Sequence, residues 1–487
     1  MVMRGDDVAW EESERVERVW RHSLFEESTL RAIGHFVAKH RQGVPTELCE
    51  PKAGGFNALF RMKFMDGGSA VIRFTKPGAT MFPEEKIKQE VATMRFIQDN
   101  TTIPVPFVHH WGTREESPLN IGPFIIMEYV NHAMDMIDAL NTPGLTRDDR
   151  PILNPDVDKA LLESLYGQMA KILLQLSKLE FPLIGALEET EEWKWDVTRR
   201  PLSLPMNELV RIGTFPQSKL PTTVFRSSSE YLESLATLHM DHLAAQRNDV
   251  VSSRADGEKK YIARHLFRKL AGEKRLLPAT HDSGPFKLWC DDLRPSNMLL
   301  DRNYQIVAVI DWEFSYAAPS EFSFAPPWWL LLEQPEEWRA GLDSWTAAYN
   351  ERLPVFLAAM AAEEDACMAA GRLTEDQRLS GRMGASWASG EFWTVYAARK
   401  GFAFDCVYWK ELDARFFGAL EGGPDDAGDA WRRRLGLLDE KTRAAMDSFV
   451  ERKMAETQTR VLAWDPDEHT LEYRVDPAAE AHADAGV

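Results

Sequence analysis

Apolar residues recur at helical spacing over residues 12–42, with Val16, Val19, Trp20, Leu24 and Phe25 on one side, and this spacing predicts a single helix. The period then changes. In "NALFRMKFMDGGSAVIRFTK" (57–76) two strand-like runs meet at Asp66-Gly67-Gly68-Ser69, a hairpin signal. With Gly67-Gly68 as a two-residue loop, Met62 would pair with Arg73 and Lys63 with Ile72. "EEKIKQEVATMRFIQDN" (84–100) returns to helical spacing, and "VPFVHHWGT" (105–113) and "GPFIIMEYV" (122–130) read as strands. From Asn131 the pattern is mainly helical, most plainly in "DKALLESLYGQMAKILLQLSKL" (158–179) and again over 227–249 and 260–275. Residues 185–225 read as loop-rich. Two buried strands follow, "LWC" (288–290) and "QIVAVIDWEF" (305–314), and each runs into acid. Helices dominate about 328–455, and 464–487 reads as a frayed tail. No internal repeat is found.

Strands and one helix first, helices afterwards, predict an α+β class with two lobes: a small antiparallel sheet and a larger, mostly helical part. The boundaries fall at 1–44 (a helical extension), 45–130 (the sheet lobe), 131–455 (the helical lobe) and 456–487 (a tail). A chain of 487 residues is long enough for two such cores. Its net charge of −19 argues against nucleic acid and anionic membrane as partners, while a local basic cleft stays compatible with a phosphate ligand. The four cysteines are widely spaced and are expected as reduced thiols of a cytoplasmic protein. The acidic, interrupted N-terminus is expected to be neither signal nor transit peptide.

Charge changes the picture most at "LWCDDLRPSNMLL" (288–300). A core strand cannot bury two carboxylates without partners, so this is a loop clamped between buried strands. Asp292 and Asn297 are five apart, the spacing of a kinase catalytic loop, in which the Asp orients an acceptor hydroxyl and the Asn holds a metal. Asp291 does not fit that spacing. A third acid, Asp311, closes the run "IVAVID" and is suited to a hard divalent cation. The alternative is a β-turn whose Asp and Asn bond locally to backbone.

Cys290-Asp291-Asp292-Leu293-Arg294-Pro295-Ser296-Asn297 followed by Ile310-Asp311-Trp312-Glu313 resembles the aminoglycoside phosphotransferase and choline kinase-like family, above all its large fungal branch. "FPLIGAL" (181–187) and "APPWWLLL" (325–332) add to the likeness, which covers roughly 45–420. The resemblance implies a protein kinase-like two-lobed fold and transfer of the ATP γ-phosphoryl group to a hydroxyl of a small molecule. Asp292 would be the base, and Asn297 and Asp311 would hold Mg. Cys290 stands where the family has His, and Cys cannot supply the same hydrogen bonds. A monomer or weak homodimer is expected.

In the sheet lobe, Gly54, Gly55, Phe56 and Asn57 resemble a phosphate-covering loop without the full glycine pattern, and a plain hairpin glycine pair fits equally. Arg73 stands where kinases carry the phosphate-gripping lysine, a swap that alters both fork and stem. In that register Lys63 points to the opposite face of the sheet, as does Lys76 if the strand continues, which leaves Arg73 with Glu90 as its partner. A solvated helix face is the other reading of Glu90. Backbone at Glu128 to Val130 would be the adenine-binding hinge, or an ordinary core strand. The adjacent His109 and His110 face opposite ways on a strand and make no metal site, and Trp328 and Trp329 read as core anchors. A rival reading is a catalytically silent kinase-like binding module, motivated by Arg73, Cys290 and the thin glycine loop.

Overall fold

The computed structural model describes residues 3–146, 149–191, 194–419 and 430–474. Two helices come first, α1 (Asp7–Leu24) and α2 (Glu27–Arg41). The expected single helix breaks at Phe25, which is exposed, and Glu26, which is extended. A straight helix over 12–42 would be roughly 45 Å long, and the break lets α2 turn back onto the sheet. Trp20, Ile33 and Val37 then share one core with Phe60, Phe74, Phe124 and Ile126.

The sheet comprises β1 (Pro45–Leu48), β2 (Lys52–Ala53), β3 (Asn57–Phe64) and β4 (Ser69–Thr75). After helix α3 (Pro83–Asn100) come β5 (Val108–Gly112) and β6 (Phe124–Glu128). All pairings are antiparallel, in the order β1-β3-β4-β6-β5 with β2 on β3. The α1/α2 layer covers one face and α3 the other, so β4 is buried on both sides, which suits its apolar run.

The hairpin register corrects the expectation. Met62 pairs with Ala70, Lys63 with Ser69 and Leu59 with Arg73. The turn holds three residues, 65–67, with Gly67 at φ 84° and Phe64 N–H bonded to the Gly68 carbonyl. Lys63 therefore shares the face of Arg73, contrary to the expected register. It lies far along the strand and pairs with Glu47 at 2.8 Å. Lys76 is drawn off by Glu17 of α1 at 2.9 Å.

In the helical part, the helices Lys159–Ser177 and Leu342–Ala369 pack against each other. Trp328 and Trp329 are buried between strand and helix elements. Residues 185–225, expected as loop, contain a hairpin of Ala186–Glu191 with Lys194–Arg199 and a helix Leu204–Ile212. Dense charge in the hairpin strands masked the alternation that marks a strand. The expected tail is also corrected in part. The helix Glu468–Glu472 is docked, with His469 and Thr470 buried and the Thr470 hydroxyl accepting from Gly78 N–H at 2.9 Å. Residues 475–487 of that expected tail lie outside the described residues. Among the described residues no helix is long and apolar enough to cross a membrane.

Candidate active site

Strand pairing brings two polar loops face to face. Cys290, ending strand Phe286–Cys290, pairs with Ser315 of Ser315–Ala318. Inside that pair, Met298 of Met298–Leu300 is opposite Val309 of Ile306–Val309. Residues 291–297 and 310–314 are thus the two facing unpaired stretches of one nested hairpin. A bond from Ile310 N–H to the Asn297 carbonyl (3.0 Å) ties them.

On the first loop, the Asn297 amide donates to the Asp292 carboxylate (3.1 Å) and to its main-chain carbonyl (2.8 Å). Arg294 Nε stands 2.8 Å from the other Asp292 oxygen. Burial pushes the Asp292 carboxyl above its ordinary value, and Arg294 pulls it back. Asp291 turns away. It accepts from Trp289 Nε1 (2.9 Å) and from Arg399 (3.3 Å), whose guanidinium stacks over the Trp289 ring at 4.4 Å.

On the second loop, Asp311 and Phe314 both have positive φ, 56° and 58°, an uncommon backbone for such residues. Arg73 Nη1 donates to Asp311 at 2.6 Å, and its other nitrogen pairs with Glu90. The register puts Arg73 opposite Ile125, on the face that α3 covers, and Glu90 is buried there. Burial raises the Asp311 carboxyl to about 7 against the pull of Arg73, and the nearby charges of Glu313, Glu90 and Asp292 add to the rise. Burial also works to raise Glu313, but Lys86 and then Arg73 outweigh it and hold that carboxyl low. Cys290, in the family's His position, is buried beneath this loop. Its thiol reaches toward the carbonyls of Asp311 (3.9 Å) and Glu313 (3.7 Å), and burial raises it far above the usual thiol range.

From the sheet lobe, Gly54 N–H bonds to the Asn57 carbonyl (2.9 Å), which closes the glycine loop. A Cβ on Gly55 would meet nothing within 4 Å. The Phe56 ring packs edge-on against Phe314 at 5.8 Å, so this loop touches the second polar loop directly. Glu128 ends β6, with its N–H bonded to the Phe107 carbonyl (2.8 Å), and the Val130 carbonyl meets the His132 ring (2.9 Å). These two lie at the edge of the sheet lobe.

The fold therefore gathers Asp292, Asn297, Asp311, Arg73, Glu90, Phe56 and Asn57 into one connected network. The sequence reading missed Lys86, Arg294 and Arg399. Lys86 was within reach of that reading, since it precedes Glu90 by four residues and must share its helix face. Asn297 and Asp311 carry hard oxygens of the kind a divalent cation takes, and the carboxylates that raise Asp311 are charge a cation would relieve, although among the described residues no group of three or more His, Cys, Asp or Glu side chains is gathered as a metal site.

Residues 54–359 match the family described as "Phosphotransferase enzyme family". The chain belongs to that family. It is 24% identical over 321 residues to the Altered inheritance of mitochondria protein 9, mitochondrial, of Yarrowia lipolytica, covering 61% of this chain and 52% of that one. The chain thus spans about half the length of that relative. It is 24% identical over 317 residues to the Clavilactone A biosynthesis cluster protein Y of Ampulloclitocybe clavipes, covering 61% and 68%. Among solved structures, the Plasmodium vivax ethanolamine kinase aligns with TM-score 0.37 at 14% identity over 85% of this chain and 82% of that one. An amicoumacin kinase in complex with AMP-PNP, Ca2+ and Ami aligns with TM-score 0.40 at 11% identity, covering 92% and 98%.

Proposed function

We propose that this family member transfers the γ-phosphoryl group of ATP to a hydroxyl of a small molecule, in the cytoplasm. The reading is carried by one observation: the facing loops that hold Asp292 with Asn297 and Asp311 with Arg73. Asp292 orients the acceptor hydroxyl and takes its proton as the oxygen attacks the γ-phosphorus, with ADP as leaving group. Asn297 fixes the Asp292 carboxylate through its amide, and Asn297 and Asp311 would hold Mg. That ion, when bound, neutralises phosphate charge. The Gly54–Asn57 segment would cover the phosphates, and the backbone from Glu128 to Val130 would take adenine. Arg73, paired with Glu90, would offer its second arm to phosphate, and Asp311 would serve as the metal's carboxylate.

One observation favours the silent-module reading: both arms of Arg73 are already engaged by carboxylates. The two readings part in calorimetry and turnover. The phosphotransferase reading expects magnesium-dependent ATP binding and ATP consumption with some hydroxyl metabolites of a library. Asp292→Asn should keep the binding and lower turnover by about a thousandfold or more. ATP binding with no turnover on any acceptor would leave the silent module, and no binding at all would remove both nucleotide roles.

A further inference from the structure

Lys86 has no part in the roles assigned so far, yet its side chain is completely buried. A buried ammonium persists only with close partners. Its Nζ lies 2.5 Å from Glu313 Oε2, 3.0 Å from Asn57 Oδ1 and 4.0 Å from Glu90 Oε2. The Asn57 amide donates to the same Glu313 oxygen at 3.0 Å. Lys86, Asn57 and Glu313 therefore close a buried triangle, and each corner belongs to a different element. Lys86 is on α3, Asn57 ends the glycine loop, and Glu313 stands two residues past Asp311.

We propose that Lys86 is a positioning residue for nucleotide binding: it fixes Glu313 as a bracket between the glycine loop and the Asp311 loop, and so holds their spacing before nucleotide arrives. The inference rests on the phosphotransferase reading for its purpose, but the bracket itself is a property of the chain alone. Without Lys86 the Glu313 carboxylate loses its cation and Asn57 Oδ1 loses its donor, so the Asn57–Glu313 bond that ties the glycine loop to the other lobe loses the charge that fixes both its ends. The Phe56–Phe314 contact spans the same gap and would loosen with it. Lys86 does not itself reach toward an open site: its ammonium meets the interior oxygens of Glu313, Asn57 and Glu90 and stands 6.0 Å from the centroid of the buried Phe314 ring.

The test compares Lys86→Met, Lys86→Arg and the charge-free pair Lys86→Met/Glu313→Leu with the wild-type chain. MgATP binding is read by calorimetry, Mn2+ binding without nucleotide by electron paramagnetic resonance, and amide exchange is followed over 54–57. Lys86→Met is expected to weaken MgATP about tenfold or more and leave Mn2+ affinity within about twofold, with faster exchange over 54–57. Lys86→Arg should recover part of the nucleotide affinity. The double variant should regain thermal stability, since no charge is left unpaired, without regaining nucleotide affinity. Should Lys86→Met not fold, the double variant carries the test. MgATP affinity that returns with stability in the double variant, or that is unchanged in Lys86→Met, overturns the bracket. If the wild-type chain binds no MgATP, the phosphotransferase reading falls separately. Amide exchange then decides the bracket: faster exchange at 54–57 in Lys86→Met supports it, and unchanged exchange overturns it.

Discussion

At the scale of single residues, the chain buries charge and usually pairs it. Arg399 is stacked on Trp289 and bound to Asp291, and Arg264 is fully buried against Asp405. Glu321 departs from this habit. It is almost completely buried, and neither carboxylate oxygen is hydrogen-bonded by another described residue. The His281 ring is 3.9 Å away. Burial raises the Glu321 carboxyl to about 7, and the charges of Glu391 and Asp282 push the same way. The sign follows from linkage. An acid whose folded value lies above its unfolded value binds more protons when folded, so its stabilising effect is full below about 4.5 and is lost as pH rises through about 7. Glu321→Gln removes that titration. Between pH 4.5 and pH 8 the variant should gain about 3 kcal/mol relative to the wild-type chain, as read by urea unfolding at each pH. A pH-independent difference would mean that Glu321 is solvated.

At the scale of elements, the two glycine-bearing turns of the sheet lobe behave oppositely. Gly67 sits at φ 84°, a conformation that opposes a side chain, and Gly67→Ala should destabilise the fold by about 1–2 kcal/mol. Gly55 has open space around its missing Cβ and no positive φ. Gly55→Ala should leave stability within about 0.5 kcal/mol and still weaken MgATP, because a phosphate under the loop needs close backbone approach. Unfolding and calorimetry on both variants separate a structural glycine from a ligand-facing one. The same turns show what the sequence made legible. The glycine pair marked the hairpin, but register depends on turn geometry, and a three-residue turn moved every pairing. The strands β3, β4, β5 and β6 and the helix α3 could be read because one period dominates each, whereas the short β1 and β2 could not. The hairpin within 186–199 could not, since its strands carry little apolar alternation. Spacing five apart with a hydrophobic strand behind it singled out Asp292, Asn297 and Asp311, which the fold puts on two facing loops. Arg294 and Arg399 were hidden because their roles depend on which element packs beside them. The α1 break was hidden because amphipathic spacing continues across a bend.

At the scale of the whole molecule, the segment before the sheet fastens the two lobes together. Met3 N–H bonds to the Phe402 carbonyl (3.2 Å), and Asp6 N–H to that of Ile212 (2.7 Å), both in the helical part. Farther on, Trp20 Nε1 bonds to the Ile121 carbonyl (3.0 Å) and the Ser13 hydroxyl to that of Gly78 (2.7 Å), both at the sheet lobe. Asp6 is the pivot of this strap. Its buried carboxylate caps α1 through Ala9 N–H (3.1 Å) and accepts from both the main-chain N–H (3.1 Å) and the side-chain amide (3.0 Å) of Asn248. Asp6→Ala removes a cap, worth about 1 kcal/mol, and strands the buried Asn248 N–H at about 1–3 kcal/mol. A fall of about 2–4 kcal/mol in unfolding free energy is therefore expected. Asp6→Asn keeps an oxygen for the cap and should lose less. Because α1 reaches both lobes, the loss should not stay local: amide exchange in Asp6→Ala should quicken along residues 7–24 and also at β6, which α1 helps to cover. Faster exchange confined to the first turn of α1, with β6 unchanged, would show that the lobes hold each other without the strap.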